Sequence, residues 1–337
     1  MKRFALGFLK ILAGFIVLIV CLYVILYFVY GGTYTVNRTV AQDPSIPHIS
    51  ANGATFHAET FGSDTNQVVI VLHGGPGNDY RYLLDLKRLS ESYFVVFYDQ
   101  RGTGLSPRVP KEELTVENMV EDLHAIVKYY GKGQKVNIIG HSWGGMLASA
   151  YMGRYPETIH KLVLAEPGPL TPSFAKQYEP KVDVNWALIK HVAKCYFQSL
   201  HVEEIDDQAQ ADYFFAAFAT DTTISDHPLR GYFCDNNIRN ANFAHWRFSG
   251  VTSYQLMMQG MQGEKENMNF VKGIENFENK ILFLAGDCDV LIGPDFQREQ
   301  RKLFKQTELV VIPQAGHMMF SDQPEACIHA VTTYFEE

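Results

Sequence analysis

The chain has 337 residues, 47% hydrophobic and 20% charged, which supplies enough apolar material for a packed core and argues against wholesale disorder. A formal net charge of −8, with no basic run and no zinc-finger spacing, argues against nucleic acid as a partner. The 5 Cys are scattered without a C-x-x-C pair and the 12 His show no H-E-x-x-H, so no metal or other cofactor is expected.

The first element is a membrane anchor. Lys2, Arg3 and Lys10 precede an uncharged run from Ile11 to Tyr30, which as a helix spans about 30 Å, the thickness of a bilayer core. The basic residues sit before the run and only Arg38 follows closely, so the positive-inside rule puts residues 1–10 in the cytoplasm and the rest outside. The alternative is a cleaved signal peptide, although its apolar region is normally shorter, about 7–15 residues, and "YFVYGG" is a poor cleavage site. Residues 31–50, with Gly31, Gly32, Pro44 and Pro47, read as a stalk, and Asn37 heads a glycosylation sequon.

Beyond it, "GATFHAETFG" alternates like an edge strand. Six segments then share one form: "QVVIVLHGGPG", "YFVVFYDQRG", "KVNIIGHSWGG", "KLVLAEPGP", "KILFLAGDCD" and "ELVVIPQAGH". Each is a short apolar run that stops at Gly, Pro or polar residues. Such runs separated by helices predict a doubly wound α/β fold with a mostly parallel sheet, whose sites form at the carboxyl ends of the strands. The rhythm breaks over 168–270, an aromatic-rich stretch that reads as a helical cap inserted between two core segments, 51–167 and 271–337. Cys195 and Cys234 both fall in the cap, either as a pair or as two buried thiols. Tyr196, Phe197, Phe214, Phe215 and Phe218 either line an apolar pocket or pack the cap. The acids of "EEIDD" (Glu203, Glu204, Asp206, Asp207) read as a solvated helix face.

The chemistry centres on Gly140-His141-Ser142-Trp143-Gly144. It fits G-x-S-x-G between a strand-like and a helix-like run, the setting of a serine nucleophile on a strained turn. A serine needs a base, and the expected order is Ser, acid, His. His317, after Gly316 at the end of a strand run, is the candidate base. The acid ends the preceding strand, where strand-Gly-x-x-Asp points to Asp289 and Asp287 lies in the same turn. In "HGGPG", His73 to Gly77, glycine backbone can aim N–H groups at an oxyanion, and Gly75 with Trp143 is the candidate oxyanion hole.

"HGGPG", "DQRGTGLS" (Asp99 to Ser106), "GHSWGG" and the Gly-x-x-Asp…Gly-His ending together resemble the proline iminopeptidase branch of the α/β hydrolases. The resemblance implies a capped serine peptidase that removes an N-terminal residue from a small peptide or amino-acid amide, with Ser142, Asp289 and His317 as its triad. It gives Asp99 and Arg101 the task of holding the loops beside the site. That branch also carries a cap motif with tryptophan and glutamate for the substrate amine. Here no W-x-x-W-E occurs, and Trp246 is followed by Arg247. Glu166, ending the strand after the serine elbow, is the substitute candidate for amine binding, with a surface or hinge glutamate as the alternative. The enzymatic rival is a carboxylesterase or lipase-like hydrolase of apolar esters.

Overall fold

The computed structural model describes residues 2–178, 184–224, 227–238, 243–261 and 269–337. Parts of the predicted cap, at 179–183, 225–226, 239–242 and 262–268, lie outside the described residues. The chain begins with helix α1 (Lys2–Val29). Within it Gly7–Val29 is long and apolar enough to cross a membrane, and none of the most apolar window is buried in the protein.

An eight-stranded sheet follows, in the order β1-β2-β4-β3-β5-β6-β7-β8. The strands are β1 (His48–Ala51), β2 (Ala54–Phe61), β3 (Val68–Leu72), β4 (Phe94–Tyr98), β5 (Val136–His141), β6 (Ile159–Ala165), β7 (Ile281–Gly286) and β8 (Thr307–Ile312). β1 and β2 are antiparallel to their neighbours and the rest of the sheet is parallel. The six apolar runs are β3 to β8. Every residue of β3, β5 and β7 is buried, because helices cover both faces and leave no polar side. On one face pack α2 (Val116–Gly131) and α3 (Trp143–Arg154), on the other α8 (Pro324–Glu336). α2 starts where the Thr115 hydroxyl accepts the Asn118 N–H, a side-chain cap for an otherwise orphaned donor.

Among the described residues the cap carries α4 (Pro172–Ala175), α5 (Trp186–Ser199), α6 (Ala209–Thr220) and α7 (Gly250–Met261). Its anchor is Arg247. This fully buried guanidinium pairs with Asp206 at 2.7 Å and Asp212 at 2.8 Å, and also donates to the Asn37 carbonyl at 3.1 Å. Arg108 reaches the same Asp212 from the core at 2.8 Å. A buried cation on this scale persists only when its donors are satisfied, and these acids satisfy it.

Three expectations are corrected. Residues 31–50 are not a free stalk: Thr39 and Val40 are buried, Tyr34 bridges to Val202, and the last positions form β1. Polar, Pro-containing sequence hides this because the segment is held by the cap, through Gln42 to Asp206 and Asn37 to the Trp246 carbonyl, rather than by its own apolar pattern. Asp206 is accordingly no solvated acid. Finally, Cys234 is disulfide-bonded to Cys288 and not to Cys195, which is free and buried beside His191. The Cys195 thiol lies in α5 while Cys234 lies against the loop after β7, so the bond ties the cap to the core.

The disulfide closes a sequence separation of 54 residues, and chain entropy over such a loop is worth about 4 kcal/mol. Cys234→Ser should therefore lower the thermal midpoint in non-reducing buffer by several degrees, and added dithiothreitol should bring wild type to the same value. Equal midpoints without reductant would show that the bond adds no stability.

Candidate active site

β5 ends at His141 and α3 begins at Trp143, leaving one residue to reverse the chain. That residue, Ser142, has φ 53° and ψ −117°, a conformation that side-chain-bearing residues rarely adopt. Neighbours over-determine it. The Ser142 N–H donates to the Ala165 carbonyl at 2.9 Å, and its own carbonyl accepts from Gly145 at 2.9 Å and Met146 at 3.2 Å. A Cβ on Gly144 would overlap the Leu72 and His73 carbonyls, and one on Gly140 would overlap Gly144. Only glycine lets strand and helix approach this closely, so the two glycines force the serine into its corner at the start of α3.

The loop after β3 lies directly against it. A Cβ built on Gly74 would stand 2.8 Å from the Ser142 Cβ. The Gly74 N–H is committed to the Tyr82 hydroxyl at 2.6 Å, which makes Gly75, at φ 48°, the next donor along. The Trp143 N–H, first in α3, has no acceptor one turn earlier in its helix. Gln100 holds the two sides together. Its side-chain amide donates to the His73 carbonyl at 2.9 Å, and its Oε1 accepts from the Trp143 indole at 2.9 Å. The flanking "DQRG" residues brace the loops. Asp99 accepts from Tyr80 at 3.2 Å and Leu105 at 2.7 Å and contacts His57 at 2.7 Å. Arg101 pairs with Asp122 at 2.6 Å and Glu113 at 2.7 Å.

His317 sits on the loop after β8, pinned by its N–H to the Tyr232 carbonyl at 2.7 Å, with the Tyr232 ring 4.4 Å from its own. Two carboxylates meet its Nδ1: Glu166 at 2.9 Å and Asp289 at 3.3 Å. Both are buried, whereas Asp287 is exposed. Asp289 is oriented by the Leu291 and Ile292 N–H groups at 2.7 and 2.9 Å, and Glu166 by the Gly286 N–H at 2.6 Å. With Nδ1 taken, Nε2 is the ring nitrogen not engaged by the carboxylates. The expectation that Glu166 holds a substrate amine is thus corrected: its Oε1 is filled by Gly286 and its Oε2 by His317, and the residue is fully buried. Tyr196 and Phe197 do not line the site either, since Phe197 packs on Tyr23 of α1 and Tyr196 is largely exposed.

Burial, then the Asp289 charge, raises the Glu166 carboxyl from its ordinary 4.5 to about 8. Burial lowers His317, but hydrogen bonds to Asp289 and Glu166 outweigh it and leave the imidazole raised from 6.5 to about 9. The two groups are in contact, so these describe one shared event: the cluster retains a proton at neutral pH. His141 goes the other way, driven well below the ordinary value by burial and then by the His317 charge. Neutral His141 accepts the Tyr82 hydroxyl proton at Nδ1, 2.7 Å, and donates from Nε2 to the His317 carbonyl at 2.8 Å. The ligand atoms of His141, Glu166 and His317 lie within 4.8 Å of one another, and hydrogen bonds already engage both His141 nitrogens, both Glu166 oxygens and His317 Nδ1. Tyr82, Gln100 and the relay role of His141 were not found from sequence. Gln100 and His141 lie inside quoted motifs, but Tyr82 carries no local signal.

Residues 67–188 match the alpha/beta hydrolase fold family and residues 248–337 the TAP-like protein family. A proline iminopeptidase from Thermoplasma volcanium is 31% identical over 44% of this chain and 50% of its own length, so the chain spans about half of that relative. An epoxide hydrolase from Caenorhabditis elegans is 22% identical over 82% of this chain and 67% of its own length. An sn-1-specific diacylglycerol lipase from Mus musculus is 23% identical over 81% and 82%. The solved structure of a proline iminopeptidase-related protein from Thermus thermophilus overlays with a TM-score of 0.59 at 19% identity, covering 86% of this chain and 96% of that one. The chain has the α/β-hydrolase fold. Within that class it resembles the proline iminopeptidases.

Two expectations follow from the geometry. Tyr82→Phe removes the hydroxyl that joins the Gly74 amide to His141, and should lower kcat by roughly tenfold, the size of one lost hydrogen bond of about 1.4 kcal/mol, with KM nearly unchanged. An unchanged kcat would mean the relay does not position either loop. The second concerns pH. A base must be unprotonated, so kcat/KM should climb with pH through the raised His317 value near 9, and Glu166→Gln should move that limb to lower pH. Stability should run the opposite way. A histidine raised in the fold stabilises fully below 6.5 and loses that contribution as pH rises through about 9, and the raised Glu166 acts with the same sign between 4.5 and about 8. The thermal midpoint should therefore fall from pH 7 to pH 9 while kcat/KM rises. A kcat/KM profile already flat at pH 7 would contradict this reading.

Proposed function

We propose that this protein is a membrane-anchored serine hydrolase that releases the N-terminal residue of short peptides or amino-acid amides. The observation that carries the hydrolase reading is Ser142, strained at its elbow against the glycine loop, together with a histidine whose Nδ1 meets two buried carboxylates. Ser142 Oγ attacks the acyl carbon while His317 Nε2 takes its proton and then gives it to the leaving amine. Asp289 fixes the imidazole tautomer and steadies the imidazolium. The Gly75 and Trp143 amides receive the negative charge on the carbonyl oxygen at the N-terminus of α3, where the helix dipole favours it. Water, activated by the same histidine, attacks the acyl-enzyme, and the proton returns to Ser142. Epoxide hydrolase chemistry calls for a carboxylate where Ser142 stands. α1 anchors the enzyme, with residues 1–10 on the cytoplasmic side and the catalytic domain outside.

The peptidase reading rests on "HGGPG" and "DQRGTGLS" and on the proline iminopeptidase relatives. A second reading, hydrolysis of apolar esters, is favoured by one observation: Glu166, the acid expected to hold a free amine, faces His317 instead.

A matched substrate panel separates them: Pro- and Ala-naphthylamides, their N-acetylated forms and nitrophenyl esters of several chain lengths, with Ser142→Ala as control. The peptidase reading predicts turnover of free-amine amides that acetylation abolishes. Turnover of esters alone would replace it with the second reading. Activity surviving in Ser142→Ala would remove both. Asp289→Asn should cost up to about 10⁴ in turnover if Asp289 alone orients the imidazole, and clearly less if Glu166 shares the task.

A further inference from the structure

We propose that cap helix α5 is a membrane-docking helix, seated in the bilayer leaflet from which α1 emerges toward the catalytic domain. The inference rests on α1 crossing a membrane. It adds a second, non-spanning contact made by the cap itself.

The sequence of α5, WALIKHVAKCYFQS, has two sides. Leu188, His191, Cys195 and Ser199 are buried toward the cap. Trp186, Ile189, Val192 and Tyr196, spaced three, three and four apart, are 75, 46, 38 and 44% exposed. That spacing puts them along one side of a helix. Val184, just before the Asn185 cap, is exposed as well. Contiguous large apolar side chains left in water mark a surface that meets something apolar.

The contacts of the same helix indicate what that is. Phe197, beside Tyr196, meets Tyr23 edge-on at 5.1 Å and stacks on Tyr30 at 6.5 Å. Just past α5, the His201 ring lies 4.2 Å from Tyr27 and its Nε2 is 2.9 Å from the Tyr27 carbonyl. The C-terminal end of α5 is therefore pressed against the last two turns of α1. Tyr23 and Tyr30 differ in depth by about 10 Å along a helix axis. The uncharged run ending at Tyr30 is only about 30 Å long, the thickness of the hydrocarbon core, so nothing is spare. Tyr23 must lie below the membrane surface, and a helix packed on it is carried to headgroup depth. Tryptophan and tyrosine favour that depth, and α5 presents one of each on its exposed stripe. Lys190, exposed on α5, can extend its ammonium to lipid phosphate while its stem stays in the apolar layer. A protein partner would have to enter the bilayer to cover the same stripe; lipid is already there.

The test uses the full-length chain, wild type and Trp186→Phe, reconstituted in phosphatidylcholine vesicles with or without bromine on the upper acyl chain. Trp143 is buried against Phe270 and Trp246 is half-buried against Tyr80, whereas Trp186 is 75% exposed and is the tryptophan most open to lipid. An alkaline carbonate wash first establishes whether the chain is inserted. Insertion, with fluorescence quenched by brominated lipid and the quenching lost in Trp186→Phe, is the expected result. Insertion without Trp186-dependent quenching overturns α5 docking and leaves the anchor standing. Release of the chain by carbonate overturns the anchor, and the docking with it.

Discussion

The close approach of β5 and α3 is the constraint on which the site depends. Gly140 and Gly144 let the two elements come within backbone contact, and the one residue left between them, Ser142, must take a positive φ. Strain at a single residue persists only where packing over-determines it. Here β3 lies against one side of the elbow and β6 against the other, and both strands are buried in a sheet that cannot shift without opening its core. The mostly parallel sheet thus does more than carry the site. Its largely buried, mostly apolar strands supply the rigidity that holds a strained serine at their carboxyl end.

Around that fixed point, loops from distant parts of the chain are joined by buried polar groups rather than by apolar packing. Gln100 links the glycine loop to Trp143; Tyr82 and His141 link the same loop to the His317 carbonyl. Each buried donor meets an acceptor, so each loop fixes its neighbour, and the loss of one member leaves the next unsatisfied. The two carboxylates on His317 extend this logic. Two like charges at one imidazole are costly in a buried place, and burial together with the Asp289 charge keeps Glu166 protonated above its ordinary range. The site tolerates two acids because they and His317 together retain a proton at neutral pH.

The parallel strands and the serine elbow were legible in the sequence because their signals are local. β3 to β8 are runs of adjacent apolar residues, and the elbow is five consecutive residues whose glycines have a steric reason. What was not legible depends on partners far away in sequence. β1 hides in polar residues because its place is set by pairing with β2. Cys234 meets Cys288 only once the cap folds back on the loop after β7. Glu166 was noticed as the acid ending β6, but its partner lies 151 residues away, and nothing near it distinguishes a carboxylate aimed at a histidine from one aimed at a substrate.

The most direct test of the account is covalent labelling of the full-length protein by a fluorophosphonate, followed by peptide mass spectrometry. An activated serine beside an oxyanion hole is phosphonylated quickly, whereas an ordinary serine is not. The account predicts one rapid adduct, on the peptide containing Ser142, that slows as pH falls and His317 takes up its proton. An unlabelled Ser142, or labelling elsewhere at the same rate, would contradict the claim that the strained elbow and the carboxylate-held histidine form a working hydrolase.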